Sequence, residues 1–474
     1  MIQKWLTKYG LVFHVACVCL FPLCYLNQSR VFGFIPLLWL SFIAAEVMLV
    51  LPSVRRAETL ADARHRMLYG LVRDPFFYLG AVFVGMVVAQ WLNGGCELVY
   101  LPDADVWEVS NPVVQWAPFC VEPRAALTQI AVFVACLTVG VILRHALSKT
   151  SKRLLLQFLV CVSGGLALFF VVQACQKIQP YMLQTTGLGV PAMGAFFGFW
   201  LLMGMGILAE AMSRGQRGCG LLFILGFAGN LLGMLFFASA LALAVYAVLS
   251  CLLFVYLLMY LSAHVSKLAQ LKLFFVSMIV VGGIMVWFVF LYPQNPVGAK
   301  LKSALPLTEY WSAITATRQV RAEAAISIWQ KHPWVGVGAD GFYHYVGLSV
   351  GTRKWALIHD EPSYVLNDWL QCLCEYGVLG MGLLLLIVIT LVVPVCYRAR
   401  NIWKYRTKCE DGDRVFLFRL SPIVVAGVWA TIACFFESCF ASPFRSAGLL
   451  LAWTCAVSAL PGFMPMLTRS DTQG

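Results

Sequence analysis

Charge is scarce in this chain. Only 12% of its 474 residues are Asp, Glu, Lys or Arg, against 61% that are hydrophobic. A soluble domain carries about 25% charged residues and about 45–50% apolar ones. The shortage excludes an ordinary soluble core. Acid is scarcer still: 22 acidic residues face 34 basic ones, a formal charge of +12. Histidine is rare, with seven in all. No small-residue cleavage pattern follows the first apolar run, so a cleavable signal peptide is not expected.

What is present is apolar sequence in long runs. Stretches of about 20 residues recur from end to end, each long enough to cross a bilayer as a helix. Twelve spans are expected: 9–26, 32–51, 75–94, 126–144, 154–174, 189–211, 219–236, 239–261, 273–292, 376–397, 418–437 and 446–466. The seventh and eighth form one uncharged block whose dividing turn falls near Phe237-Ala238-Ser239. The fold expected is an all-α polytopic membrane protein.

Basic residues orient it. With the N-terminus inside, the inner segments collect Lys4, Lys8, Arg55, Arg56, Arg144, Lys149, Arg153, Arg398 and Arg400 among others. The short outer segments hold only Arg30, Arg124, Lys177 and Arg445. Both termini are expected inside. The positive balance suits anionic lipid headgroups and gives no reason to invoke nucleic acid. Most cysteines lie in or beside spans and read as small apolar fillers; Cys96 and Cys120 share an outer loop, where a disulfide is conceivable. Glu46 and Glu210, near inner ends of spans, are expected to reach the headgroup zone.

One connection is long. Spans one to nine occupy 1–292, a large outer loop occupies 293–375, and three further spans with a short tail occupy 376–474. A loop of that size is usually functional. Ser312 to Lys331 lacks Gly and Pro and predicts a helix, which His332-Pro333 ends. Gly336, Gly338 and Gly341 fit G-x-G-x-x-G, but a helix precedes them where a nucleotide-binding unit needs a strand, so they read as a turn. A second helix is expected to start near Pro362 and to run into span ten.

The loop carries most of the chain's chemistry. Arg318 and Arg321 share one helix face, either as a solvated surface or as a clamp for a diphosphate. Arg353 and Lys354 add two cations. His359 lies just before the second helix, with Asp360 and Glu361 beside it, either as a surface residue or as a proton acceptor. Asn367, Gln371 and Glu375 form one polar stripe with Asp368 alongside, either an interfacial collar or a set of hydroxyl binders. Cys372 and Cys374 point different ways on a helix and do not read as a metal pair.

The stretch "RQVRAEAAISIWQKHPWVGVGADGF" (Arg318 to Phe342), followed by "LNDWLQCLCEYGVLGMG" (Leu366 to Gly382), resembles the O-antigen ligase and polymerase superfamily. In that family the late outer loop runs from an arginine through an Ala-rich helix and an hPllGvG turn to HN-x-YLQ-x-x-x-E-x-G-x-x-G. Arg318, His332-Pro333, Gly336, Gly338, Asn367, Leu370, Gln371, Glu375, Gly377 and Gly380 fall in register, with Trp369 in place of Tyr. The resemblance implies a glycosyltransferase C-like fold. It implies transfer of a glycan from undecaprenyl diphosphate at the periplasmic face of the bacterial inner membrane, to a glycan, a lipid A core or a protein, with no cofactor and no metal. Arginines would hold the diphosphate and Arg321, Arg353, Lys354, Asn367, Asp368, Gln371 and Glu375 would line the substrate site. Arg318 and His359 would carry the catalysis.

One departure matters: the family's histidine falls on Leu366. His359 is the nearest replacement, with Asp360, Glu361, Asp368 or a mechanism without a base as alternatives. A lipid-linked glycan transporter is the competing class, against which stand the absence of an internal repeat and the scarcity of mid-membrane charge.

Overall fold

The computed structural model describes residues 9–25, 34–50, 52, 58–94, 98–101, 106–109, 114, 117–175, 190–214, 221–264, 307–349, 364–406 and 420–464. These residues are almost wholly helical. In chain order the helices are α1 (Leu11–Tyr25), α2 (Phe34–Val50), α3 (Leu60–Val72), α4 (Pro75–Leu92), α5 (Pro123–Val141), α6 (Lys149–Cys175), α7 (Val190–Ser213), α8 (Leu221–Phe237), α9 (Ala240–His264), α10 (Leu307–Lys331), α11 (Gly341–Ser349), α12 (Asp368–Arg406), α13 (Pro422–Ser438) and α14 (Ala447–Ala459). One antiparallel hairpin, β1 (Leu98–Leu101) with β2 (Val106–Val109), interrupts the all-α pattern between α4 and α5.

Among the described residues, six helices are long and apolar enough to cross a membrane, and five shorter apolar ones stand beside them. Together they occupy eleven of the expected spans; the ninth, 273–292, lies outside the described residues. The chain is a multi-pass membrane protein. The seventh and eighth spans part where expected: α8 ends at Phe237 and α9 starts at Ala240, with the Ser239 hydroxyl accepting from the Ala242 N–H at 3.2 Å. That is an N-cap, and it is why a serine sits in an otherwise apolar block.

The core is built around α7, whose membrane window is almost entirely buried. It packs against α6, α8, α9 and α13. Helices α6 and α8 meet at Gly164, Gly226 and Gly229, where any side chain would strike the opposing backbone. Small residues give tight packing where lipid supplies no hydrophobic drive between helices. Asn230 fixes this contact by donating to Val160 O at 3.0 Å.

The end of the bundle remote from the long loop is pinned by ions. Glu210 on α7 does not reach outward as expected. Its side chain is buried and paired to Arg153 and Arg214, and Ser421 donates to it at 2.6 Å. A carboxylate with two guanidiniums at hand gains more from them than from a headgroup zone it would have to leave the core to reach. Asp74 caps α4 by accepting from Phe76 N–H at 3.1 Å, and also accepts from Arg144 at 2.6 and 2.9 Å. His145 lies 2.7 Å from it, on a π-helical turn, Ile142–Ala146, that ends α5. Helix α3 beside it, with a Thr59/Asp62 capping box, is absent from the expected spans because it is too short and too polar to be one.

Candidate functional site

The loop helix α10 begins at Leu307, five residues earlier in the chain than expected, and ends at Lys331 as Pro333 requires. The glycine turn that follows is wedged into α12. Gly336, Gly338 and Gly377 all have positive φ, at 68°, 89° and 64°. At Gly377 the long helix breaks, because its backbone is not helical there. The break frees backbone groups that the turn then takes up: Val337 N–H donates to Cys374 O at 3.1 Å and Gly338 N–H to Glu375 O at 3.0 Å. Val378 and Leu379 N–H donate back to Pro333 and Trp334 O at 2.9 and 3.1 Å. A Cβ at Gly336 would overlap the Glu375 backbone, and one at Gly377 the Trp334 backbone. The two glycine motifs of the sequence are thus two halves of one interlock. Gln90 on α4 locks it from below, donating to Val335 O at 2.9 Å.

The second helix, expected from Pro362, which lies outside the described residues, is not continuous through residues 364–367. It starts at Asp368, because the Asn367 side chain accepts from Leu370 N–H at 3.1 Å and so caps it. Asn367 also donates to Cys439 O at 3.3 Å. The polar stripe faces inward. Glu375 is fully buried: Gln371 donates to its Oε1 at 2.9 Å, and Asp340 N–H donates to its Oε2 at 3.1 Å. The ion partner is Arg445, in the turn between α13 and α14, whose Nη2 contacts Glu375 Oε2 while its Nη1 lies 3.8 Å from Asp340. Burial alone would favour a neutral guanidine, but Glu375 beside it keeps Arg445 well above its ordinary range and so charged. Asp368 accepts from Phe444 N–H at 3.0 Å, in the same turn.

The arginines of α10 sit over this mouth. Buried Arg321 donates to Tyr364 O at 2.8 Å, and Arg318 stands over the Phe440 ring at 5.8 Å. Burial, then Asp340, pushes the Tyr364 phenol above its ordinary range, so it serves as a neutral hydroxyl. His359, Arg353 and Lys354, with Asp360 and Glu361, lie outside the described residues. Cys96 does too; Cys120 is buried under Gly338.

Below the mouth an apolar furrow runs along α12 from Asp368 to Leu391, walled by α4, α5, α13 and α14. Trp369, Phe435, Tyr376 and Phe133 line it, with Asp368, Ser438 and Arg445 at its polar end. Beyond the break at Gly377, the helical part of that wall from Met381 to Leu391 is about 15 Å long. Among the described residues no group of three or more His, Cys, Asp or Glu gathers as a metal site would require. The furrow is apolar along its wall and polar at one end, where Asp368, Ser438 and Arg445 stand, an arrangement that suits an amphiphile.

Sequence reasoning passed over three residues here. Arg445 had a signal, as a lone arginine in a short segment on the base-poor side. Asp340 was inside the glycine turn. Glu437 is a buried acid at the end of an apolar span, a position that by itself marks a site for scrutiny.

His332, between the α10 helix and the turn, packs edge-on against Phe119 at 5.0 Å and Tyr345 at 5.9 Å. Burial first, and then Lys331, holds its ring below the ordinary imidazole range. The folded protein therefore binds this proton less readily than the unfolded chain does. The stability it contributes is complete above the unfolded value of about 6.5 and is lost as pH falls through the folded value. We expect the unfolding midpoint in detergent to drop on acidification below that point. His332→Gln should flatten the drop; an unchanged slope would show that His332 is not its source.

These features define a class: a helical multi-pass membrane protein with an amphiphile-shaped cleft at one end. Compared with family models and with curated proteins, the chain gives no match.

Proposed function

We propose that the protein is an inner-membrane glycosyltransferase of twelve spans with a glycosyltransferase C-like fold. It transfers or polymerises undecaprenyl-diphosphate-linked glycan at the periplasmic face, as an O-antigen or exopolysaccharide ligase or polymerase. Its termini are cytoplasmic and the furrow's polar mouth faces the periplasm.

The observation that carries the reading is the furrow joined to its mouth. A polyprenyl tail needs an apolar wall, and its glycan head needs hydroxyl and phosphate partners at the water boundary. Both requirements meet at Asp368 and Arg445. The described mouth is acid-rich, with Glu375, Asp340 and Asp368 around a single Arg445. It therefore suits sugar hydroxyls better than a diphosphate. The diphosphate falls to Arg318 and Arg321, with Arg353 and Lys354 as further cations.

The glycan that accumulates in cells lacking this chain tests the reading and divides its two forms. Loss of a polymerase leaves single repeat units on the lipid. Loss of a ligase leaves long lipid-linked chains. A glycan profile identical to that of the parent cells would sink both.

A further inference from the structure

The residue at the family's histidine position has no proton-accepting atom. Leu366 is apolar and held at a φ of 59°, in the left-handed region. A base for the acceptor hydroxyl must come from another group at the same mouth.

Four described carboxylates stand there, and one of them lines the furrow. Both oxygens of Glu375 are taken up by Gln371, Asp340 N–H and Arg445, and it is fully buried. Asp340 is drawn to Arg445 and is not part of the furrow wall. Glu437 also stands off the furrow. Asp368 alone among them forms the wall, beside Ser438 and Arg445. It is the first residue of α12, so a capped helix fixes its position. Phe444 N–H holds it on Oδ2.

We infer that Asp368 is the catalytic base, doing from the helix start what a histidine two residues earlier does in the family this chain resembles. The inference rests on the glycosyltransferase reading above. In the step, the acceptor oxygen attacks the anomeric carbon of the lipid-linked sugar. The bond from that carbon to the phosphate oxygen breaks, and its electron pair leaves with the lipid diphosphate. The acceptor proton passes to the Asp368 carboxylate and then to the departing diphosphate or to water. One glycosidic bond replaces one glycosyl phosphate bond, and no oxidant or other reactant is needed.

The test uses the full chain in proteoliposomes. The donor is radiolabelled lipid-diphosphate glycan from cells lacking the protein, and membranes of the same cells supply the acceptor. Asp368→Asn keeps an oxygen for Phe444 N–H but loses the base. Its kcat should fall by about 10²–10⁴-fold, the usual worth of general-base catalysis, with little change in donor KM. Asp368→Glu should recover part of the rate. A kcat for Asp368→Asn close to wild type overturns the inference, as does a loss carried by His359→Ala instead; in both cases transfer by the wild type leaves the glycosyltransferase reading standing. No transfer by the wild type overturns both. Should Asp368→Asn fail to fold, Asp368→Glu decides: a reduced kcat at unchanged KM supports the base, and full kcat refutes it.

Discussion

Arg445→Ala should unfold the mouth of this protein. Arg445 is buried and pairs with Glu375, which has no access to water. With the guanidinium gone, Glu375 keeps only Gln371 and the Asp340 N–H for its charge. Breaking a buried pair in this way costs about 3–5 kcal/mol, because one charge is left uncompensated. Replacing both members is a different matter. Arg445→Met with Glu375→Gln leaves no buried charge, and the Gln carbonyl still accepts from Gln371 or from Asp340 N–H. We expect denaturation in detergent to show a large loss for Arg445→Ala and a much smaller one for the double variant. Equal losses would mean that the turn, and not the ion pair, is what Arg445 supports.

Arg318→Ala should leave the fold standing and remove the activity. In the structure Arg318 lies over the Phe440 ring. That contact contributes about 0.5–1 kcal/mol. Its proposed work is on the leaving diphosphate, where charge develops as the sugar departs. Losing one such donor typically costs about 10²–10³ in rate. High-mass glycan should disappear from a blot of cells whose only copy carries Arg318→Ala, with expression and melting near wild type. Arg318→Lys should restore little, since an ammonium cannot reproduce a two-pronged grip on phosphate. A normal ladder from Arg318→Ala would remove Arg318 from the site.

Much of the frame was legible because membrane spans advertise themselves. Eleven expected spans have helices, and the turn at Ser239 was marked by its capping hydroxyl. The stop at His332-Pro333 was equally plain, since proline forbids the helix that precedes it from continuing. Local signals of this kind need only neighbours in sequence. The break at Gly377 was hidden for the opposite reason. A glycine inside an apolar run is tolerated by a helix, and only the distant turn at Gly336 and Gly338 makes the break favourable. Pro362 offered a plausible helix start, but the Asn367 side chain caps a later one.

The site divides the same way. Asn367, Asp368, Gln371 and Glu375 were readable as a stripe on one helix, although an interfacial collar would have looked identical. What turns the stripe inward is Arg445, which comes from a different part of the chain and has no spacing relation to it. Glu210 shows the same limit in reverse. Its partners Arg153 and Ser421 arrive from other helices, so a carboxylate expected to reach outward is held in the core.

The central claim is glycan transfer from a lipid diphosphate, and one measurement reaches it directly. Purified protein in sealed proteoliposomes is given radiolabelled undecaprenyl-diphosphate-linked glycan, and both the chemical form of the label and its leaflet are followed. Transfer should move label onto an acceptor in the same vesicles, a second lipid-linked unit for a polymerase or an added lipid A core or protein for a ligase, with free undecaprenyl diphosphate released, and Arg318→Ala should stop it. Label that crosses the bilayer while still attached to its lipid, with no undecaprenyl diphosphate released, would contradict the account and make the protein a transporter.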